Sequence, residues 1–170
     1  MKSMRLNLCV EFLVVAGLML VFAAVTYQRN FIWKNGLSLW SDVIRKSSDK
    51  ARPYNNLGRA CLSEKNFLQA IPFLKTALKH NPYFSEAHFN LGTAYQGIRQ
   101  YDNAITEYRK ILHGARQPYF AKVHNNLGVC YFNKGWIDKA IEEFREAINI
   151  NQDFSDAIYN LRIALKHLKK

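Results

Sequence analysis

Cysteine is scarce in this 170-residue chain, and Cys9, Cys61 and Cys130 show none of the paired spacing a metal site requires. The motifs that cradle phosphate, hold zinc on a helix or present a serine nucleophile are also missing, and the five histidines do not converge. These absences remove the common routes to catalysis. No catalytic residue, metal or cofactor is therefore expected, and the chain does not read as an enzyme. Acid is in short supply too. With 13 acidic residues against 24 basic ones the formal charge is +11, which favours anionic partners and membrane surfaces. Nucleic acid is not the expected partner, because it would call for a concentrated basic stripe with exposed aromatics interleaved. Here the basic residues are dispersed and the aromatics recur at regular packing positions.

Long apolar runs are absent apart from one. From Phe12 to Tyr27 no residue is charged, and extension back to Leu6 gives about 22 residues, or roughly 33 Å of helix, enough to span a bilayer. Glu11 lies near the margin of this run, where a carboxylate can reach the headgroups. Two readings stand open. An uncleaved anchor fits the apolar run past Ala23 and the interfacial aromatics Tyr27 and Trp33; a secretory signal fits the basic start at Lys2 and Arg5 and a small-residue site at Val21-Phe22-Ala23. Lys2 and Arg5 hold the amino terminus inside, opposed by Arg29 and Lys34. The expectation carried forward is a single-pass anchor with the remainder outside the cytoplasm.

What the chain has in quantity is repetition. Asn56-Leu57-Gly58, Asn90-Leu91-Gly92 and Asn126-Leu127-Gly128 are each followed at a constant distance by Ala70, Ala104 and Ala140. The glycines lie 34 and then 36 residues apart. Small residues at these points let helix backbones approach, while Ile71, Leu74 and Leu78, or Ile137, Ile141 and Phe144, recur at helical spacing to fill the groove between. Lys75, Lys79, Glu142, Glu143 and Glu146 fall on the opposite faces, the glutamates with Lys139 and Arg145 as ion-pair partners.

This pattern resembles the tetratricopeptide repeat family, a helix-turn-helix unit with a period of about 34 residues. Its signature is met by Tyr54, Leu57, Gly58, Cys61, Ala70, Leu74, Ala77 and Pro82; by His88, Leu91, Gly92, Tyr95, Ala104, Tyr108 and Ile111; and by His124, Leu127, Gly128, Tyr131, Ala140, Phe144 and Ala147. Pro118 ends a lengthened second linker, and Gln152 stands where the third repeat would have proline. His88 and His124 occupy an aromatic position and read as packing residues. Cys61, at a core position, reads as a small hydrophobe too distant from Cys130 for a disulfide.

The expected fold is an all-α solenoid of about three full repeats with a half-repeat at each end, preceded by one transmembrane helix. The expected divisions are 1–28 for the anchor or signal segment, 29–50 for a connecting helix and degenerate half-repeat, 51–84, 85–120 and 121–154 for the repeats, and 155–170 for a capping helix. In the leading half-repeat Gly36, Trp40 and Val43 take the small, aromatic and small positions; in the cap Arg162 replaces the glycine, and Lys166, His167, Lys169 and Lys170 make a basic end. A second resemblance covers Gln28 to Arg52, which is similar to the junction where the last membrane helix of polytopic glycosyltransferase-like proteins meets a carboxyl-terminal tetratricopeptide domain. It implies shared ancestry and an extracytoplasmic side.

In the family, the first helix of each repeat lines a concave groove that holds protein or peptide. Carried over, the groove-facing residues are Arg52, Asn55, Asn56, Arg59, Asn90, Gln96, Lys122, Asn125, Asn126, Asn133 and Asn160, a polar and cationic lining suited to an acidic partner. Asn56, Asn90, Asn126 and Asn160 share one position and resemble an asparagine ladder that grips peptide backbone, although the same amides could bond within or between repeats. Asn55, Arg59, Asn90, Lys122 and Asn126 fall at the five positions of a clamp that holds chaperone carboxyl termini, with only part of its residue types. The function implied is a membrane-anchored interaction scaffold. Its alternatives are an accessory or detached regulatory segment of a membrane glycosyltransferase system, and a module that mainly self-associates.

Overall fold

The computed structural model describes residues 2–32, 36–46, 48–113 and 119–168, with side chains described in the first stretch from residue 11 to residue 28. The side chains of Lys2, Arg5, Cys9 and Arg29, together with Trp33, Lys34, residues 114–117, Pro118, Lys169 and Lys170, lie outside the described residues. Among those described the chain is all-helical: α1 (Lys2–Ile32), α2 (Gly36–Lys46), α3 (Ala51–Ser63), α4 (Phe67–His80), α5 (Ser85–Gly97), α6 (Tyr101–Leu112), α7 (Phe120–Asn133), α8 (Ile137–Ile150) and α9 (Ser155–Leu168). Helix α1 holds a stretch, Glu11–Gln28, long and apolar enough to cross a membrane, none of it buried.

Helices α3, α5, α7 and α9 form one row, here called the A row, and α4, α6 and α8 a second, the B row. Each packs on its sequence neighbours, from α2 against α3 to α8 against α9, and consecutive A helices also touch. This is a solenoid, in which every helix pair buries its apolar stripe on the next. The glycines set the approach. A Cβ added at Gly58, Gly92 or Gly128 would fall 2.5 Å from Leu74, Tyr108 or Phe144 of the paired B helix. Ala70, Ala104, Ala140, Tyr108, Phe144 and Leu74 are accordingly buried, and Cys61 and Cys130 are free thiols inside the same core.

Every A-to-B turn has the same construction. Two residues beyond the end of each A helix stands a residue with left-handed backbone, Lys65 (φ 59°), Arg99 (φ 61°) and Gly135 (φ 77°). The next N–H reaches back five residues, Asn66 to Cys61, Gln100 to Tyr95 and Trp136 to Tyr131, each at 2.9 Å. That bond satisfies a carbonyl the helix end would otherwise leave unpaired. The B-to-A turns are less uniform. After α4 and α8 an asparagine caps the helix end and accepts a backbone N–H on its side chain, Tyr83 N to Asn81 Oδ1 at 3.1 Å and Asp153 N to Asn151 Oδ1 at 3.2 Å.

Candidate functional site

The A row carries the residues expected to line a concave face, and the structure separates them into two groups. Arg52 and Lys122 are exposed, Asn56 is half-buried, and none of the three has an ion pair or side-chain hydrogen bond among the described residues. Arg59 is exposed as well, with Nη1 at 3.5 Å from Glu86 Oε1 of the next A helix. An ion pair this open to solvent contributes little to stability and leaves the guanidinium accessible.

The other group is turned inward. Asn55, Asn90 and Asn125 are buried. Asn90 Nδ2 donates to Asn55 Oδ1 at 2.8 Å, and Asn160 Nδ2 to Asn125 Oδ1 at 2.9 Å, each pair spanning 35 residues. These amides therefore stitch α3 to α5 and α7 to α9, the bonding between repeats that stood beside the groove-lining expectation. The physical reason is that a buried amide without a partner is costly, and the equivalent amide of the adjacent helix is within reach. Among the described residues only Asn55 Nδ2 remains buried without a partner.

Between α5 and α7 the stitch is missing. Phe89 stands where Asn55 and Asn125 stand in their helices, so Asn126 Nδ2 turns instead to the Tyr108 hydroxyl at 3.2 Å. That hydroxyl donates to Gln96 Oε1 at 2.9 Å and lies 3.3 Å from Thr93 Oγ1. Burial pushes the Tyr108 phenol well up, so it stays protonated as a donor. Asn133, exposed near the end of α7, bonds its own helix at Val129 O, 2.8 Å away. Of the five clamp positions, then, only Arg59 and Lys122 present charge to solvent.

Behind this face lies an arrangement that reading by residue type missed. His88 Nδ1 is 2.6 Å from Glu107 Oε2, and its Nε2 is 2.9 Å from the Pro82 carbonyl. Lys110 Nζ adds a bond to Glu107 Oε1 at 2.9 Å. In the next repeat His124 Nδ1 lies 2.7 Å from Glu143 Oε2. The imidazoles thus fill the aromatic slot of the repeat and also tie each A helix to its own B helix. The legible signal was a glutamate 19 residues after each histidine. Glu143 accordingly points inward to His124, away from the exposed ion-pair face expected for it, while Lys139 sits over the Trp136 ring at 4.6 Å.

Burial works to raise the Glu107 carboxyl, but the bonds from His88 and Lys110 more than offset it, holding it below the usual glutamate value. Burial, helped by the nearby Glu64 charge, raises the Cys61 thiol, and burial alone pushes that of Cys130 up to about 12, so both are poor nucleophiles. Among the described residues no three His, Cys, Asp or Glu side chains come together to hold a metal ion.

Two family models, both for the tetratricopeptide repeat, match this chain, one over residues 61–127 and one over 121–154. The chain belongs to the tetratricopeptide repeat family. Among relatives of this TPR chain, the Drosophila melanogaster protein O-mannosyl-transferase Tmtc3 is 30% identical over 94 residues, covering 55% of this chain and 10% of that protein. The chain therefore spans about a tenth of the length of the relative it matches. Among solved structures, a crystal structure of MamA superimposes with a TM-score of 0.70 at 23% identity, over 76% of this chain and 75% of that one. The first TPR of Spaghetti (RPAP3), solved bound to an HSP90 peptide, gives a TM-score of 0.67 at 17% identity, over 73% of this chain and 97% of that one. At these identities the two structures speak to the fold alone.

Proposed function

We propose that this TPR chain is a non-catalytic, membrane-anchored scaffold that holds a protein or peptide partner against the concave face of its A row. The observation that carries the reading is the group Arg52 and Asn56 on α3 and Lys122 on α7, three polar side chains of the A row with no partner among the described residues. Arg59 adds a third positive charge, which favours an acidic segment. A peptide complex of a structural neighbour supports the same use of the fold. The apolar stretch of α1 would hold the scaffold at a membrane and raise its partner's local concentration there, with the repeats on the extracytoplasmic side.

Crosslinking of the full-length protein in its native membranes tests this, by comparison with an Arg52→Ala, Asn56→Ala, Lys122→Ala variant. Loss of one specific captured protein from the variant supports the concave face as the working surface. The similarity to an O-mannosyl-transferase favours a second reading, an accessory or detached regulatory segment of a membrane glycosyltransferase system. Capture of a transferase equally by both forms would support that reading and remove the first.

A further inference from the structure

The three seams between successive A helices are not alike, and the middle one opens a cavity. At the first and third seams an asparagine turn precedes the helix and a buried amide pair closes the gap. At the middle seam Phe89 replaces the amide, and a cavity of about 540 Å³ lies between α5 and α7. Among the described residues Phe84, Ser85, Glu86, Phe89, Tyr119 and Lys122 line it, each from an A helix or just before one. It therefore lies on the A row, where the reading above places the partner. Phe89 is braced against Tyr108 at 5.8 Å between ring centroids and Tyr119 against Phe120 at 5.5 Å, so the aromatic walls are held by the core behind them.

We propose that this pocket receives one large apolar side chain of an extended acidic peptide, whose carboxylates meet Lys122 and Arg59. The inference rests on the concave-face reading above and adds the chemistry of its ligand. Aromatic walls supply the apolar contact, and aromatic residues in a pocket are the usual anchors of such a face. Charge supplies the rest. Among the described residues Lys122 has no ion-pair partner, and Glu86, the acidic residue of the described lining, already faces Arg59. A basic peptide would meet repulsion from Lys122 and an uncharged one would leave Lys122 unused.

The full-length protein in detergent micelles is offered an immobilised library of random hexapeptides, and the retained sequences are read. The expected pool carries Phe, Leu, Met or Trp beside Asp or Glu. Phe89→Asn, which restores the residue type of Asn55 and Asn125 opposite Asn126, should weaken the recovered peptides by about tenfold or more, as should Tyr119→Ala. Thermal unfolding by circular dichroism verifies that both variants fold. Retention of acidic peptides with no apolar preference, or an apolar preference unchanged in both variants, overturns the pocket. In that event, loss of binding in Arg52→Ala, Lys122→Ala would leave the concave-face reading standing. A pool insensitive to all of these substitutions removes both.

Discussion

The outer seams of the solenoid and its middle seam start from the same helical repeat and end as different surfaces. At the outer seams Asn55 pairs with Asn90 and Asn125 with Asn160, and the asparagines at 81 and 151 shape matching turns before them. At the middle seam the turn is lengthened, Phe89 occupies the amide position, and Asn126 answers to Tyr108 instead. One residue type at one repeat position thus decides whether two neighbouring helices are stitched shut or left with an aromatic opening. A repeat scaffold can acquire a binding feature in this way without altering its core, because each seam depends only on its immediate neighbours.

Breaking a stitch should have the largest effect. Asn90→Ala removes the partner of a fully buried amide whose Nδ2 is already unpaired, at a cost of about 2–3 kcal/mol. Asn126→Ala, at the half-buried middle seam, should cost about 1 kcal/mol or less. Urea midpoints of the two variants measure the difference, and equal losses would contradict the contrast between seams. Tyr108→Phe comes next, with an expected loss of about 1 kcal/mol. Its hydroxyl serves Gln96 and Asn126 only around the middle seam, so amide hydrogen exchange should rise in α7 and stay unchanged in α3.

Acid gives a smaller, directional effect behind the same seam. Glu107 is held below the ordinary glutamate value of 4.5 by His88 and Lys110 acting against burial. A carboxylate with a lowered folded-state pKa contributes stability that is present above the unfolded value and lost as pH falls through the folded one. Glu107→Gln should therefore flatten the decline of the urea midpoint as pH is lowered from about 5 through the acid range. An unchanged slope would show that the pair with His88 carries no folding free energy.

The smallest expected effect concerns the turns within repeats. Lys65 and Arg99 hold left-handed backbone where the third repeat has Gly135. Arg99→Gly should gain about 0.5–1 kcal/mol by relieving that conformation, and Gly135→Ala should lose about as much. Thermal melts of the two variants, read together, test whether the three turns are equivalent.

Much of the fold was legible because it rests on local rules. Gly58, Gly92 and Gly128 announced close helix approach, and Leu74, Tyr108 and Phe144 filled the space they left. Position in the repeat was enough to put the polar residues on the A row, yet it could not say which amides would meet. Asn55 and Asn125 were read as groove lining, and both are buried against the amide of the following helix. His88 and His124 were read as aromatic packing without their glutamates, since partners 19 residues away adjoin only after the helix pair has folded back on itself.

The sequence by itself determined the helical repeat, its period and the core that stacks one unit on the next, since these follow from side-chain size and spacing along single helices. It also determined the excess of positive charge and the single apolar run. The tertiary structure alone decided which polar side chains are consumed in stitching, which remain at the surface, and where Phe84, Phe89 and Tyr119 meet around an opening. The physical reason is distance: a hydrogen bond or a cavity wall needs groups from different repeats within a few ångströms, and only the stacking of those repeats places them there.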